Sequence, residues 1–218
     1  PAWSIPSGLL RRRETASASS LETRLGCPLK WVFQYSARLY PGSTAELPDG
    51  FRLKGNFCHQ LLSEALSGNA QLSPAEGAAR VLALFDERVA RDAAPLAHAA
   101  QALERNRLRA QLVRATRNLL TVLADAGGRV AGFEVPIATD LGERRLNGFI
   151  DCLVSMPDGT EAIIDFKYGG STHYRDLLQN GRAVQLATYA RSRFSARNGG
   201  VFPSVAYLVL SAGLFYTS

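Results

Sequence analysis

The chain has 218 residues, 46% of them hydrophobic and 20% charged, which excludes a disordered polypeptide and suits one good core with room for a helical elaboration. A net charge of +6 and a pI near 9.6 fit a polyanionic partner, although many basic proteins bind none. Three scattered cysteines (Cys27, Cys58, Cys152) are too few for a disulfide framework and point to a reducing cytoplasm. No apolar run approaches the length of a membrane span, and no signal peptide is visible. A chain that starts at Pro1 and stops at Ser218, just after a strand-like run, is expected to be a fragment of a longer protein.

Residues 1–20 are polar and carry the basic run Arg11-Arg12-Arg13, which reads as a linker or arm with a solvated surface more than a nucleic-acid contact. The folded domain is expected over residues 21–218. Ser17, Ser19 or Ser20 can cap a helix that uses the spaced apolar residues of Leu21 to Tyr40, in which Cys27 is expected as a buried thiol. Phe57 to Leu66 reads as the next helix. His59 shares a face with Leu62 there, and a lone helical histidine is more often structural than a ligand. Glu64 points elsewhere, towards solvent, and Gly55 permits a close approach of backbone or DNA. Ser73-Pro74-Ala75-Glu76 is a capping box with proline at the first helical position, opening a helix to about Asp92. Pro95 breaks it, and a long helix runs from about Ala97 to Ala126, stopped by Gly127-Gly128. Leu103, Leu108, Leu112, Leu119, Leu120 and Leu123 form its apolar stripe. Its arginines (Arg105, Arg107, Arg109, Arg114, Arg117) face either DNA or solvent. Residues 73–127 together read as a helical insertion.

Arg129 to Ala138 reads as the first strand, with Phe133, Val135 and Ile137 on one face and Glu134 on the other; Pro136 implies an edge or strand end. Arg144 to Tyr168 then reads as a β-hairpin around the loop Pro157-Asp158-Gly159, where proline pre-sets φ and glycine takes φ > 0 at no steric cost. With that loop length Met156 pairs with Thr160, Asp151 stands opposite Asp165, and Lys167 shares the face of Asp165. Ile150, Cys152, Val154, Ala162, Ile164 and Phe166 are expected on the other, core-facing side. Two carboxylates across a strand pair repel. A divalent cation removes that penalty, and hard oxygen ligands suit Mg²⁺ or Mn²⁺. A nearby ammonium can then hold a water or stabilise charge on a phosphate. The same spacing also suits an ordinary Asp–Lys pair on a partly exposed hairpin.

Gly169-Gly170 opens what reads as a loop through His173 and Tyr174 at the site mouth. Arg175 to Arg197 reads as a helix interrupted near Gly181, on which Gln185 and Tyr189 share one face and can hydrogen-bond to phosphate, water or Lys167. Ser204 to Ser211 is continuously apolar, as a strand buried on both faces would be.

Asp151 followed by Asp165-Phe166-Lys167 resembles the core of the PD-(D/E)XK nucleases, in particular their RecB/AddB-like exonuclease branch. Four further segments match that branch in order: Cys27-Pro28 with Trp31, Phe33 and Tyr35; Gly55 to His59; Asn147-Gly148-Phe149-Ile150-Asp151; and Gln185 with Tyr189. The resemblance implies a restriction-endonuclease-like α/β fold, a mixed central sheet flanked by helices. It implies that His59, Asp151, Asp165 and the Phe166 carbonyl hold Mg²⁺ or Mn²⁺. Lys167 would serve the attacking water, and Gln185 and Tyr189 would position the substrate. It places Glu134 near an acidic position of related enzymes. It implies DNA as the substrate, an exonuclease of double-strand-break repair and a helicase domain or subunit as partner. The cysteine matching Cys27 can ligate an iron–sulfur cluster in that branch, with three more from a C-terminal group, so a cluster is expected only in a full-length parent. The competing reading is a catalytically silent nucleic-acid-binding module of the same fold.

Overall fold

The computed structural model describes residues 8, 13–39, 50–68, 72–141, 144–197 and 199–217; Arg11, Arg12 and Tyr40 lie outside the described residues. In chain order the elements are β1 (Thr15–Ala16), α1 (Ala18–Gly26), α2 (Pro28–Trp31), α3 (Gly50–Leu66), α4 (Pro74–Asp92), α5 (Ala94–Ala97), α6 (Ala102–Asp125), β2 (Arg129–Leu141), β3 (Arg144–Ser155), β4 (Glu161–Lys167), α7 (Ser171–Gln179), α8 (Val184–Ala196), β5 (Ser204–Val209) and β6 (Leu214–Thr217). A π-helical turn, Val32–Ser36, follows α2.

Local chemistry sets several boundaries. Ser17 caps α1 by accepting from the Ser20 N–H. At α4 the Ser73 hydroxyl accepts from the Glu76 N–H, and the Glu76 carboxylate accepts from the Ser73 N–H at 2.9 Å, the reciprocal capping box. Gly127, at φ 65°, ends α6, while the Gly128 N–H returns to the Leu123 carbonyl at 2.8 Å. The hairpin loop is the three-residue one expected. The Met156 N–H donates to the Thr160 carbonyl, the Gly159 N–H donates to the Met156 carbonyl, and Gly159 sits at φ 80°.

Among the described residues the strands form one six-stranded mixed sheet. β3 is its hub. It pairs antiparallel with β2 along its length, antiparallel with β4 through Cys152–Ser155, and parallel with β1 at Arg145 and Leu146. β4 pairs parallel with β5, and β5 antiparallel with β6. Pro136 lies in β2, off the main path of the sheet, as its missing N–H requires. The core is split by the sheet. On one face α3, α4 and α6 pack on Cys152, Val154, Ile164, Phe166 and Leu208. On the other, α1 and α8 pack on Ile150, Leu153, Ile163 and Tyr207. β5 is therefore buried from both sides, as its apolar run requires.

Several expectations are corrected. Cys27 is exposed rather than buried, because it is the junction residue between α1 and α2. Pro95 opens the short α5 instead of only ending α4, since its missing N–H costs nothing in a first turn. Leu103 is 74% exposed and leaves the apolar stripe of α6, whose buried face starts at Leu108. His173 and Tyr174 belong to α7, begun by the left-handed Gly170, and not to a loop. Thr15–Ala16, within the stretch expected as an arm, pairs with β3.

Candidate metal centre

The β3–β4 register sets Cys152 opposite Ile164, so the next facing pair is Asp151 and Asp165. The backbone ladder stops there. Beyond Cys152 the Asp151 carboxylate stands in for a ladder carbonyl, its Oδ2 accepting from the Phe166 N–H at 2.7 Å. Strand alternation breaks at the same level. Cys152 and Val154 face the α3–α4–α6 core, whereas Ile150 joins Leu153 and Ile163 on the other side, which corrects its expected placement. β2 turns over beside it. Phe133 packs towards Phe166, while Val135 and Ile137 face the second core, so these three do not share a face. The residue between them, Glu134, has φ 48°, a left-handed conformation that rotates the strand.

α3 delivers His59 to this point. Its Nε2 donates to the Phe166 carbonyl at 2.8 Å, and its Nδ1 lies 3.6 Å from Asp151 Oδ2. The ring stands edge-on to Phe166, centroids 5.6 Å apart. One donor atom each from His59, Glu134 and Asp151 falls within 4.8 Å of the others. Asp165 is not in that trio; its fully buried carboxylate turns to Lys167, whose Nζ is 2.7 Å from Oδ2. That ammonium is the partner of Oδ2, and Oδ1 has no hydrogen-bond partner. Lys167 also donates to Gln185 Oε1 at 2.8 Å, and Gln185 Nε2 donates to the Tyr189 hydroxyl at 3.0 Å. The rings of Tyr174 and Tyr207 lie 5.8 and 5.9 Å from the ammonium. The structure thus gathers His59, Asp151 and the Phe166 carbonyl on one side, and Asp165, Lys167, Gln185 and Tyr189 on the other.

Burial dominates the electrostatics. It pushes Asp151 up to about 6, with the Phe166 N–H and Lys167 opposing and Glu134 adding to the rise. It also pushes Asp165 up to about 6 against the Lys167 ammonium. His59 is held below the ordinary histidine value, again chiefly by burial. Burial opposes the charge of Lys167, but Asp165 outweighs it and holds the ammonium above the usual lysine range. Burial pushes Tyr189 up to about 12, so its hydroxyl keeps its proton.

Sequence reasoning missed one contributor and ranked another low. Glu22 of α1 has a buried Oε1 without a hydrogen-bond partner, and burial raises its pKa while Lys167 pulls it down. Nothing in Leu21-Glu22-Thr23 distinguishes it from a solvated helix-surface acid. Glu134 carried a signal only through the resemblance; its left-handed backbone has no mark in the sequence.

The donor set is an imidazole nitrogen, carboxylates that resist charge when buried, and a peptide carbonyl. Those groups fit a hard divalent cation, which would offset the burial and the mutual repulsion of the acids. The family model of the PD-(D/E)XK nuclease superfamily matches residues 15–193. The chain belongs to this superfamily. The mixed sheet with helices on both faces is consistent with its restriction-endonuclease-like fold. Membership points to a metal-dependent nuclease, and His59 of α3, Glu134 of β2 and Asp151 of β3 form a cluster whose ligand atoms could hold a metal ion. No curated protein matches the chain. No helix among the described residues is long and apolar enough to cross a membrane.

Proposed function

We propose that the chain hydrolyses DNA phosphodiesters using Mg²⁺ or Mn²⁺. The observation that carries this reading is the meeting of the His59–Glu134–Asp151 trio with the Asp165–Lys167 pair where β3 and β4 part. His59, Asp151, Asp165, the Phe166 carbonyl and Glu134 are the groups that would hold the ion. When bound, it supplies a water of lowered pKa and charge stabilisation at the phosphate. Lys167 is pinned between Asp165 and Gln185, which fixes its ammonium to orient the attacking water and neutralise charge developing on phosphate oxygens. Tyr189 fixes Gln185 in turn, so the two residues proposed to position substrate also set the direction of Lys167.

The finer reading follows the RecB/AddB-like resemblance: an exonuclease working with a helicase domain or subunit in double-strand-break processing in the cytoplasm. In that reading the exposed Cys27 is the residue accessible to an iron–sulfur cluster. The test is cleavage of end-labelled linear DNA with Mg²⁺ or Mn²⁺, beside a chelator control and Asp151→Asn. Processive loss of the labelled end that requires metal and Asp151 supports the proposal. DNA left intact under every metal condition, with binding retained, would instead identify a silent binding module.

A further inference from the structure

We propose that the outer face of the β2–β3 ribbon is a track for single-stranded DNA, running from Arg145 through Asn147 to Phe149, across the metal centre, to Phe51. This rests on the nuclease reading above. The turnover at Asp151 sends Leu146 and Ile150 into the second core and leaves Arg145, Asn147 and Phe149 exposed on the opposite face. That is the face on which α3 carries His59. Phe149 is 57% exposed and stands opposite Pro136, itself exposed. It lies two residues, about 6.6 Å of strand, from Asp151.

Phe51 is 71% exposed at the start of α3. It stands in line with Gly55 and His59 at helical spacing, about 12 Å along the axis from the histidine. Its ring is built in place: it lies 6.3 Å from the Tyr168 ring, and a side chain at Gly169, two residues beyond Lys167, would start 3.5 Å from its Cε1. A lone exposed phenylalanine needs no explanation. Two of them, one two residues from Asp151 on β3 and one eight residues before His59 on α3, are what a strand with unpaired bases requires, because a base in a duplex has no free face to offer. Asp140 stands opposite Arg145, so stacking, more than charge, is the source of affinity here.

The experiment is fluorescence anisotropy of the whole chain with labelled oligo-dT and a labelled hairpin duplex, in chelator so that no cleavage contributes. Phe149→Ala and Phe51→Ala are each expected to weaken oligo-dT binding about 5- to 150-fold, the range of one lost stacked base. Phe149→Trp should retain it, and duplex binding should stay unchanged in all variants. Both positions are exposed, so melting temperatures should match wild type; Phe51, in the first turn of α3, gives an independent variant should Phe149→Ala fold poorly. Wild-type oligo-dT affinity in both alanine variants overturns the track. The expected anisotropy pattern, with no metal-dependent cleavage in a parallel assay, keeps the track and removes the nuclease reading.

Discussion

Glu134 holds a φ of 48° opposite Asp151, in a conformation that costs a non-glycine residue about 1–3 kcal/mol. A strained acid facing a buried one makes no sense for stability and good sense for gathering ligand oxygens. Glu134→Gly removes the strain and the repulsion, at roughly 0.5–1 kcal/mol of added chain entropy. It is expected to raise Tm by about 2–4 °C in chelator and to shrink the further rise that Mn²⁺ gives the wild type. Thermal melts with and without Mn²⁺ check both halves; a lower Tm in chelator would make Glu134 a structural residue. At this scale Asp151, Asp165 and Lys167 were legible because hairpin register is local arithmetic from the Pro157-Asp158-Gly159 loop. Glu22 and Glu134 were not. Their environments come from the approach of α1 and a bend in β2, neither of which their neighbours in sequence encode.

Elements with their own end signals were read correctly, and those defined by packing were not. The capping box of α4 and the glycine stop of α6 are written in a few adjacent residues. The turnover of β2 and β3, which sends Ile150 away from Cys152, is a compromise between two cores and leaves no local trace. The arginines of α6 are another example: Arg105 holds the Leu96 and Ala97 carbonyls, Arg109 pairs with Asp86, and Arg114 holds the Ser211 carbonyl, so these three serve the fold more than a ligand. One pair ties the site helix to the sheet. Arg193 of α8 grips Glu161 of β4 through two bonds, at 2.9 and 2.5 Å, and this interaction holds the Glu161 pKa below its ordinary value. A depressed carboxylate pKa stabilises at neutral pH, and the contribution is lost as pH falls from the ordinary value near 4.3 through the folded one. Glu161→Gln is expected to cost about 1 kcal/mol at pH 7, a Tm loss of about 2–4 °C. The gap between variant and wild type should narrow towards pH 3. A gap independent of pH would assign the loss to packing. Ser73→Ala, far from the centre, should cost about 1 kcal/mol as well. It should leave the Mn²⁺-induced shift intact, as paired melts would show.

For the whole molecule, a sheet with separate helical layers brings α3, β3, β4 and α8 to one point, although His59 and Lys167 are far apart in sequence. The order of motifs made this architecture legible, because each lay on an element whose type could be read. What stayed hidden was the parting of β3 and β4, which turns a facing pair of aspartates into two subsites. Asp151 lies with His59, and Asp165 lies with Lys167. Lys167, the counter-charge of the buried Asp165, is therefore the residue on which the proposed chemistry depends. The direct measurement is single-turnover cleavage of linear DNA with Mg²⁺ by wild type, Lys167→Ala and Lys167→Arg, beside DNA affinity and Tm. Lys167→Ala should lose about 10²–10⁴-fold in rate with DNA binding retained, and the planar guanidinium of Lys167→Arg should not rescue it. A Lys167→Ala protein that cleaves at the wild-type rate would contradict the account.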